Sequence, residues 1–228
     1  MYINVFGRKI GNNDFKKIFY SSTIIVTLSV LISAFFGYLL QFFLGRLLSI
    51  SDFGSFTALL SLTYLVGVPT SVLTASIIKI TSELLSKNNW DKLNSLYLKL
   101  NIFFLAIGAF VFLIFYFFKQ PISLYLNISD INLLIPFGLF LGFSYILIVP
   151  GAYLQGLMRF KAFAFYNVVN GLLRTLIPTI LVFLGFGLYG VFHGFWLTAI
   201  VLFFISFLLL KKNLDSEKLF KHIDLKEN

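Results

Sequence analysis

Residues 188–210 read LYGVFHGFWLTAIVLFFISFLLL, without a single Asp, Glu, Lys or Arg. A helix needs ~20 mostly apolar residues to cross the ~30 Å hydrocarbon core of a bilayer, and this stretch meets that length. Working outward, similar runs occupy residues 162–184, 133–154, 96–118, 53–85 and 20–48. None alternates polar and apolar residues as a barrel strand does. The expected fold is therefore all-α: a polytopic membrane protein with a bundle of six transmembrane helices over 20–210. A cytoplasmic segment (1–19) precedes the bundle and a cytoplasmic tail (211–228) follows it. The first two runs are long enough to tilt or to project beyond the membrane.

Composition agrees. Of 228 residues, 59% are hydrophobic and 12% charged, about half the charged fraction of a soluble domain. The net charge of +9 raises nucleic acid as a partner, but the basic residues sit in clusters between apolar runs and form no continuous face. With six spans and a cytoplasmic N-terminus, 15 of the 18 Lys and Arg fall on the inner side. Arg46 and Lys119 fall outside, and Arg174 lies inside a span. That asymmetry is the positive-inside signal. It makes the lipid bilayer the partner, not nucleic acid, and sets a multi-pass protein in the cell membrane with both termini inside. The first run is too long for a signal-peptide core, so no cleaved leader is expected. In the tail, Leu214, Leu219, Phe220 and Ile223 fall near helical spacing, which suits an amphipathic helix on the inner surface or a solvated tail.

The polar residues within the runs are few. Asn167, Asn170, Gly171, Arg174 and Pro178 share one face of the fifth run. Arg174 lies twelve residues in from Ala162, roughly 18 Å deep at 1.5 Å per residue. A charge at that depth is costly and faces a cavity or a partner. It either lines a substrate path, packs against carbonyls or bridges to a neighbouring helix. The first run carries Ser33, Gly37, Gln41 and Gly45 at four-residue spacing, a pattern that close helix packing explains. Gln41 is either a satisfied packing amide or a substrate contact. Arg46, at the outer end, either snorkels to headgroups or contacts substrate. His193 is either a packed, hydrogen-bonded histidine, the preferred reading, or a proton relay. The third run, from Phe103 to Phe118, is nearly free of polar atoms and suits a lipid-facing position. Pro69, Pro136, Pro150 and Pro178 each remove a helical hydrogen bond. Gly138/Gly142 and Gly190/Gly194 have the GxxxG spacing that lets helices approach closely.

Other functions are excluded by what is missing. Without Cys there is no disulfide, thiolate metal site or Cys nucleophile. None of the nine acidic residues lies deep in a span. No carboxylate pair, metal cluster, nucleophile elbow or phosphate-binding glycine loop is present. The expectation is a non-enzyme with no cofactor and no metal.

Two regions carry a family resemblance. The first is Leu44-Gly45-Arg46-Leu47-Leu48-Ser49-Ile50-Ser51-Asp52-Phe53-Gly54-Ser55-Phe56, followed by a small-residue run ending at Ile77-Ile78-Lys79. The second comprises Gln155-Gly156-Leu157-Met158-Arg159-Phe160-Lys161, then Asn170-Gly171-Leu172-Leu173-Arg174, then Gly185-Phe186-Gly187-Leu188-Tyr189-Gly190. In order and spacing this resembles the polysaccharide-biosynthesis flippases of the multidrug/oligosaccharidyl-lipid/polysaccharide exporter superfamily. Position 51 is Ser where family members often have Pro. The resemblance implies two six-helix lobes around a central cavity, of which this chain matches the N-terminal lobe. It implies flipping of an anionic lipid-pyrophosphate-linked glycan, with a second six-helix lobe or a homo-oligomer completing the transporter. Arg174, Asn170, Asn167, Gln41 and Arg46 are then the candidate substrate-binding residues. The competing functions are a drug/cation antiporter of the same superfamily and a non-transporting scaffold or inactive transporter fragment. The missing membrane carboxylate counts against the antiporter.

Overall fold

A computed structural model describes residues 2–5, 8–128 and 130–211, with side chains described for 20–64, 67, 70–128 and 130–210. The expected surface helix of the tail lies outside the described residues, as do the side chains of segment 1–19 and of Pro69. A short antiparallel hairpin, β1 (Tyr2–Val5) and β2 (Arg8–Gly11), leads into the helices. These are α1 (Asn12–Leu47), α2 (Ile50–Ser86), α3 (Trp90–Phe117), α4 (Lys119–Leu126), α5 (Leu134–Ile146), α6 (Ile148–Gly156), α7 (Phe160–Leu181) and α8 (Gly187–Lys211). The domain is all-α beyond the hairpin.

Among the described residues, four stretches are long and apolar enough to cross a membrane: Tyr20–Leu47, Trp90–Phe117, Ile131–Gly156 and Phe160–Leu210. The last spans 51 residues because it joins two expected runs. A π-helical segment, Val182–Phe186, links α7 to α8, and Gly185 there has φ +92. A side chain is strained at such a φ and glycine is not. The chain reverses at this point, so that Gly194 of α8 lies against Pro178 of α7 and Thr198 against Leu173. The run 53–85, which belongs to α2, is not among the four stretches.

The run expected at 133–154 is not one helix. A 3-10 turn at Ile131–Leu133 precedes α5, and the helix breaks at Leu147 before resuming as α6. Pro150 lies three residues beyond the break and has no N–H to return to Ile146. The connection from α1 to α2 is a tight restart. Ser49 Oγ accepts from the Asp52 backbone N–H at 3.1 Å and donates to the Asp52 carboxylate at 2.9 Å. Ser49 is thus the N-cap of α2, its side chain satisfying one of the helix's free N–H groups.

Packing rests on close approach of backbones. In lipid, burying apolar side chains gains little, so helix association depends on van der Waals fit and interhelical hydrogen bonds. A Cβ on Gly108 of α3 would sit 2.4 Å from the Gly142 carbonyl oxygen of α5. One layer of the core is aromatic: Phe56, Phe137, Phe140, Phe192 and Phe195 are buried and in mutual ring contact. A second layer, towards the α2–α3 turn, gathers Leu93, Tyr97, Phe104, Tyr153 and Leu202. Here Tyr153 donates to the Leu93 carbonyl at 2.7 Å. At the same end, an Arg159 guanidinium N–H donates to the Leu209 carbonyl in the last turn of α8, a favourable place for a cation. α3 turns only part of its surface outward. Phe103, Leu105, Phe110 and Phe117 are exposed, whereas Phe104 and Phe115 are buried. Its expected lipid-facing character holds for one face only.

Gly108→Ala is expected to destabilise the protein by about 1–3 kcal/mol through overpacking. Gly37, which has nothing within 4 Å of an added Cβ, is the control: Gly37→Ala is expected to stay within about 0.5 kcal/mol or to stabilise. Thermal unfolding in detergent distinguishes the two, and equal losses would contradict this packing.

Candidate functional site: a polar groove along α1, α2 and α7

α7 lies alongside α1 because Gly171 allows it. A Cβ at that position would fall 2.8 Å from Ser33 Cα. One turn on, Thr175 Oγ1 donates to the Phe36 carbonyl of α1 at 2.7 Å. These two contacts lock the register of α1 on α7. α2 diverges from α1 after their shared turn, and a groove of about 840 Å³ opens between them with α7 as its floor. Gly37 and Gln41 come from α1, Thr63 and Ser71 from α2, and Asn170 and Arg174 from α7.

Of the expected site residues, the structure brings three together. Gln41, Asn170 and Arg174 all line the groove. Gln41 and Asn170 are half-buried, and neither side-chain amide has a hydrogen-bond partner among the described residues. Asn167 lies one turn before Asn170, outside the lining. Arg46 is also outside it: at the end of α1 its guanidinium stacks over the Phe42 ring, 4.6 Å from the centroid.

Arg174 is exposed and, among the described residues, is the groove's only charged lining residue. Its guanidinium lies 5.1 Å from the Phe195 ring centroid and 5.6 Å from that of Phe140. The aromatic faces offer attraction without neutralising the charge. Among the described residues, the single ion pair is Lys87–Glu83, far along α2 from this place. Arg174 thus has no carboxylate partner there. No group of three His, Cys, Asp or Glu that could hold a metal occurs among the described residues. His193 is bound into its own helix, with Nδ1 2.8 Å from the Tyr189 carbonyl.

Sequence reasoning assigned Gly37 to helix packing. The structure places it on open groove instead. It also missed the contribution of α2. Leu60, Thr63, Tyr64, Gly67 and Ser71 all line the groove, and their spacing of 3, 4, 7 and 11 from Leu60 is that of one helix face. That signal was available in the sequence but is faint, because only Thr63 and Ser71 depart plainly from an apolar or packing composition. A second cavity, about 380 Å³ between α3, α5 and α8, is walled by Ile102, Leu105, Phe143 and Phe203 and is almost wholly apolar. It offers a charged ligand nothing.

A family model described as "Polysaccharide biosynthesis protein" matches residues 19–228. No match is found among curated proteins or among solved structures.

The chain contains no Cys, so single-cysteine labelling has no background. Cys placed at Asn170 or Arg174 is expected to react with a membrane-impermeant maleimide several-fold faster than Cys at Leu105 or Phe110. Equal protection at all four positions would make the groove a lipid-filled seam.

Proposed function

The chain belongs to the polysaccharide biosynthesis protein family, and from that premise we propose that it flips a lipid-linked oligosaccharide or polysaccharide precursor across the cell membrane. The family match supports a role in polysaccharide synthesis or export. The groove supports translocation as the form of that role.

The observation that carries the reading is the single unpaired cation in the groove. Arg174 lies 14 residues into the 22-residue α7, about 21 Å along the helix, which is well inside the span. A charge at that depth with no carboxylate beside it calls for an anionic partner. A lipid-linked pyrophosphate is such a partner, and guanidinium binds phosphate oxygens bidentately. Gln41 and Asn170 supply neutral donors and acceptors suited to sugar hydroxyls. A drug/cation antiporter needs negative charge at the same place, and among the described residues the groove lining has none.

The proposed architecture has six spans. They are α1, α2, α3, the broken pair α5–α6, α7 and α8, with both termini in the cytoplasm as the basic residues require. The groove is walled by α1 and α2 and floored by α7, and it is open on the remaining side. A second six-helix lobe, or a second copy of this chain, completes the path by facing that opening.

Substitution of Arg174 tests the role of its charge. Arg174→Lys keeps the charge but not the planar fork and is expected to retain partial export of the glycan. Arg174→Gln is expected to lose about ten- to a hundredfold, the worth of a charge-assisted hydrogen bond, and Arg174→Glu more. Export is measured in a cell that depends on this chain, with protein abundance matched by blotting. Full export by a well-expressed Arg174→Glu protein would contradict the anion-binding role.

A further inference from the structure

Two tyrosines in the groove have no place in the packing. Tyr38 of α1 and Tyr64 of α2 both line it, and they are 67% and 74% exposed. Among the described residues, neither hydroxyl has a hydrogen-bond partner. Both share the groove with Arg174. Tyr38 is two residues from Phe36, whose carbonyl is held by Thr175. Tyr64 is 14 residues into α2, about 21 Å along that helix, and lines the same groove as Arg174.

Tyrosine ordinarily sits at the membrane interface, where its ring is in lipid and its hydroxyl in water. Two such rings at mid-depth facing hydrocarbon would leave both hydroxyls unpaired where water is absent. The arrangement instead suits a ligand with an apolar face and a polar rim. A pyranose ring is such a ligand: its C–H face stacks on an aromatic ring, and its hydroxyls bond around the edge. Suitable partners are at hand. Among the described residues, Thr63 Oγ1 has none of its own, and the amides of Gln41 and Asn170 are unpartnered.

We propose that Tyr38 and Tyr64 form a stacking subsite for the sugar nearest the pyrophosphate, with Arg174 holding the phosphate. This rests on the flippase reading and gives it a specificity determinant. The groove volume of about 840 Å³ is that of a site for a drug-sized molecule, so it takes a few rings of the headgroup and not a polymer.

The test uses the full chain in nanodiscs and two soluble probes, farnesyl pyrophosphate and farnesyl pyrophosphate carrying one N-acetylglucosamine. Wild-type protein is expected to bind the sugar-bearing probe more tightly. Tyr64→Ala and Tyr38→Ala each remove about two- to tenfold of that advantage, the range of one aromatic contact, and leave the bare probe's affinity as it was. Tyr64→Phe, which keeps the ring, retains part of the advantage, and Tyr64→Leu, which fills the space without an aromatic face, loses it. Arg174→Gln weakens both probes alike. If the Ala and Leu variants bind the two probes as wild type does, the subsite is overturned and the flippase reading stands. Wild-type protein that binds neither probe overturns the flippase reading and the subsite with it.

Discussion

The arrangement of the groove depends on one contact, that of Gly171 with Ser33. Only a residue without a side chain allows α7 this close to α1, and Thr175 Oγ1 then fixes the register through the Phe36 carbonyl. With that register set, Asn170 and Arg174 lie beside Gln41. Without it, α7 would stand off by the width of a side chain, and Arg174 would no longer lie beside Gln41. A packing feature thus determines where the charge is presented. The constraint is severe because lipid provides little hydrophobic driving force to restore the fit once a bulky residue disturbs it.

The long apolar runs made the membrane class legible in the sequence, since no soluble fold could cover so much apolar surface. The stripe of Asn170, Gly171 and Arg174 was equally legible, because helical periodicity needs no knowledge of neighbours. What could not be read was which helix each face meets. Gly37 and Ser33 lie on the same stripe of α1, yet Ser33 is pressed against α7 while Gly37 opens on the groove. Nothing local separates them, because the distinction arises from where α2 diverges. Arg46 and Arg174 posed the same difficulty. Each is a cation in or near an apolar run, but one stacks on Phe42 at the end of its helix and the other lines the groove. Similarly, the run 133–154 carries Pro150 in plain view, but whether proline breaks a helix or only bends it depends on the packing around it.

Most large exposed side chains on this protein are apolar, as suits a surface that meets lipid. Against that background the groove differs in kind. Among the described residues, its lining combines hydroxyls, amides, two tyrosines and one guanidinium with apolar side chains such as Leu40, Phe56, Leu60 and Phe195. The cation–π contacts to Phe140 and Phe195 hold Arg174 without satisfying its five N–H donors. An arginine so held is available to a ligand's oxygen atoms at little cost in reorganisation.

The central claim is that Arg174 binds phosphate within the groove. Solid-state NMR measures this directly, as dipolar dephasing between ¹⁵N-labelled arginine guanidinium and ³¹P of farnesyl pyrophosphate bound to the protein in lipid. The account predicts dephasing that corresponds to hydrogen-bonded contact and that disappears in Arg174→Lys while the other arginines remain. Dephasing that is absent from the wild-type protein, or that persists unchanged in Arg174→Lys, would contradict it.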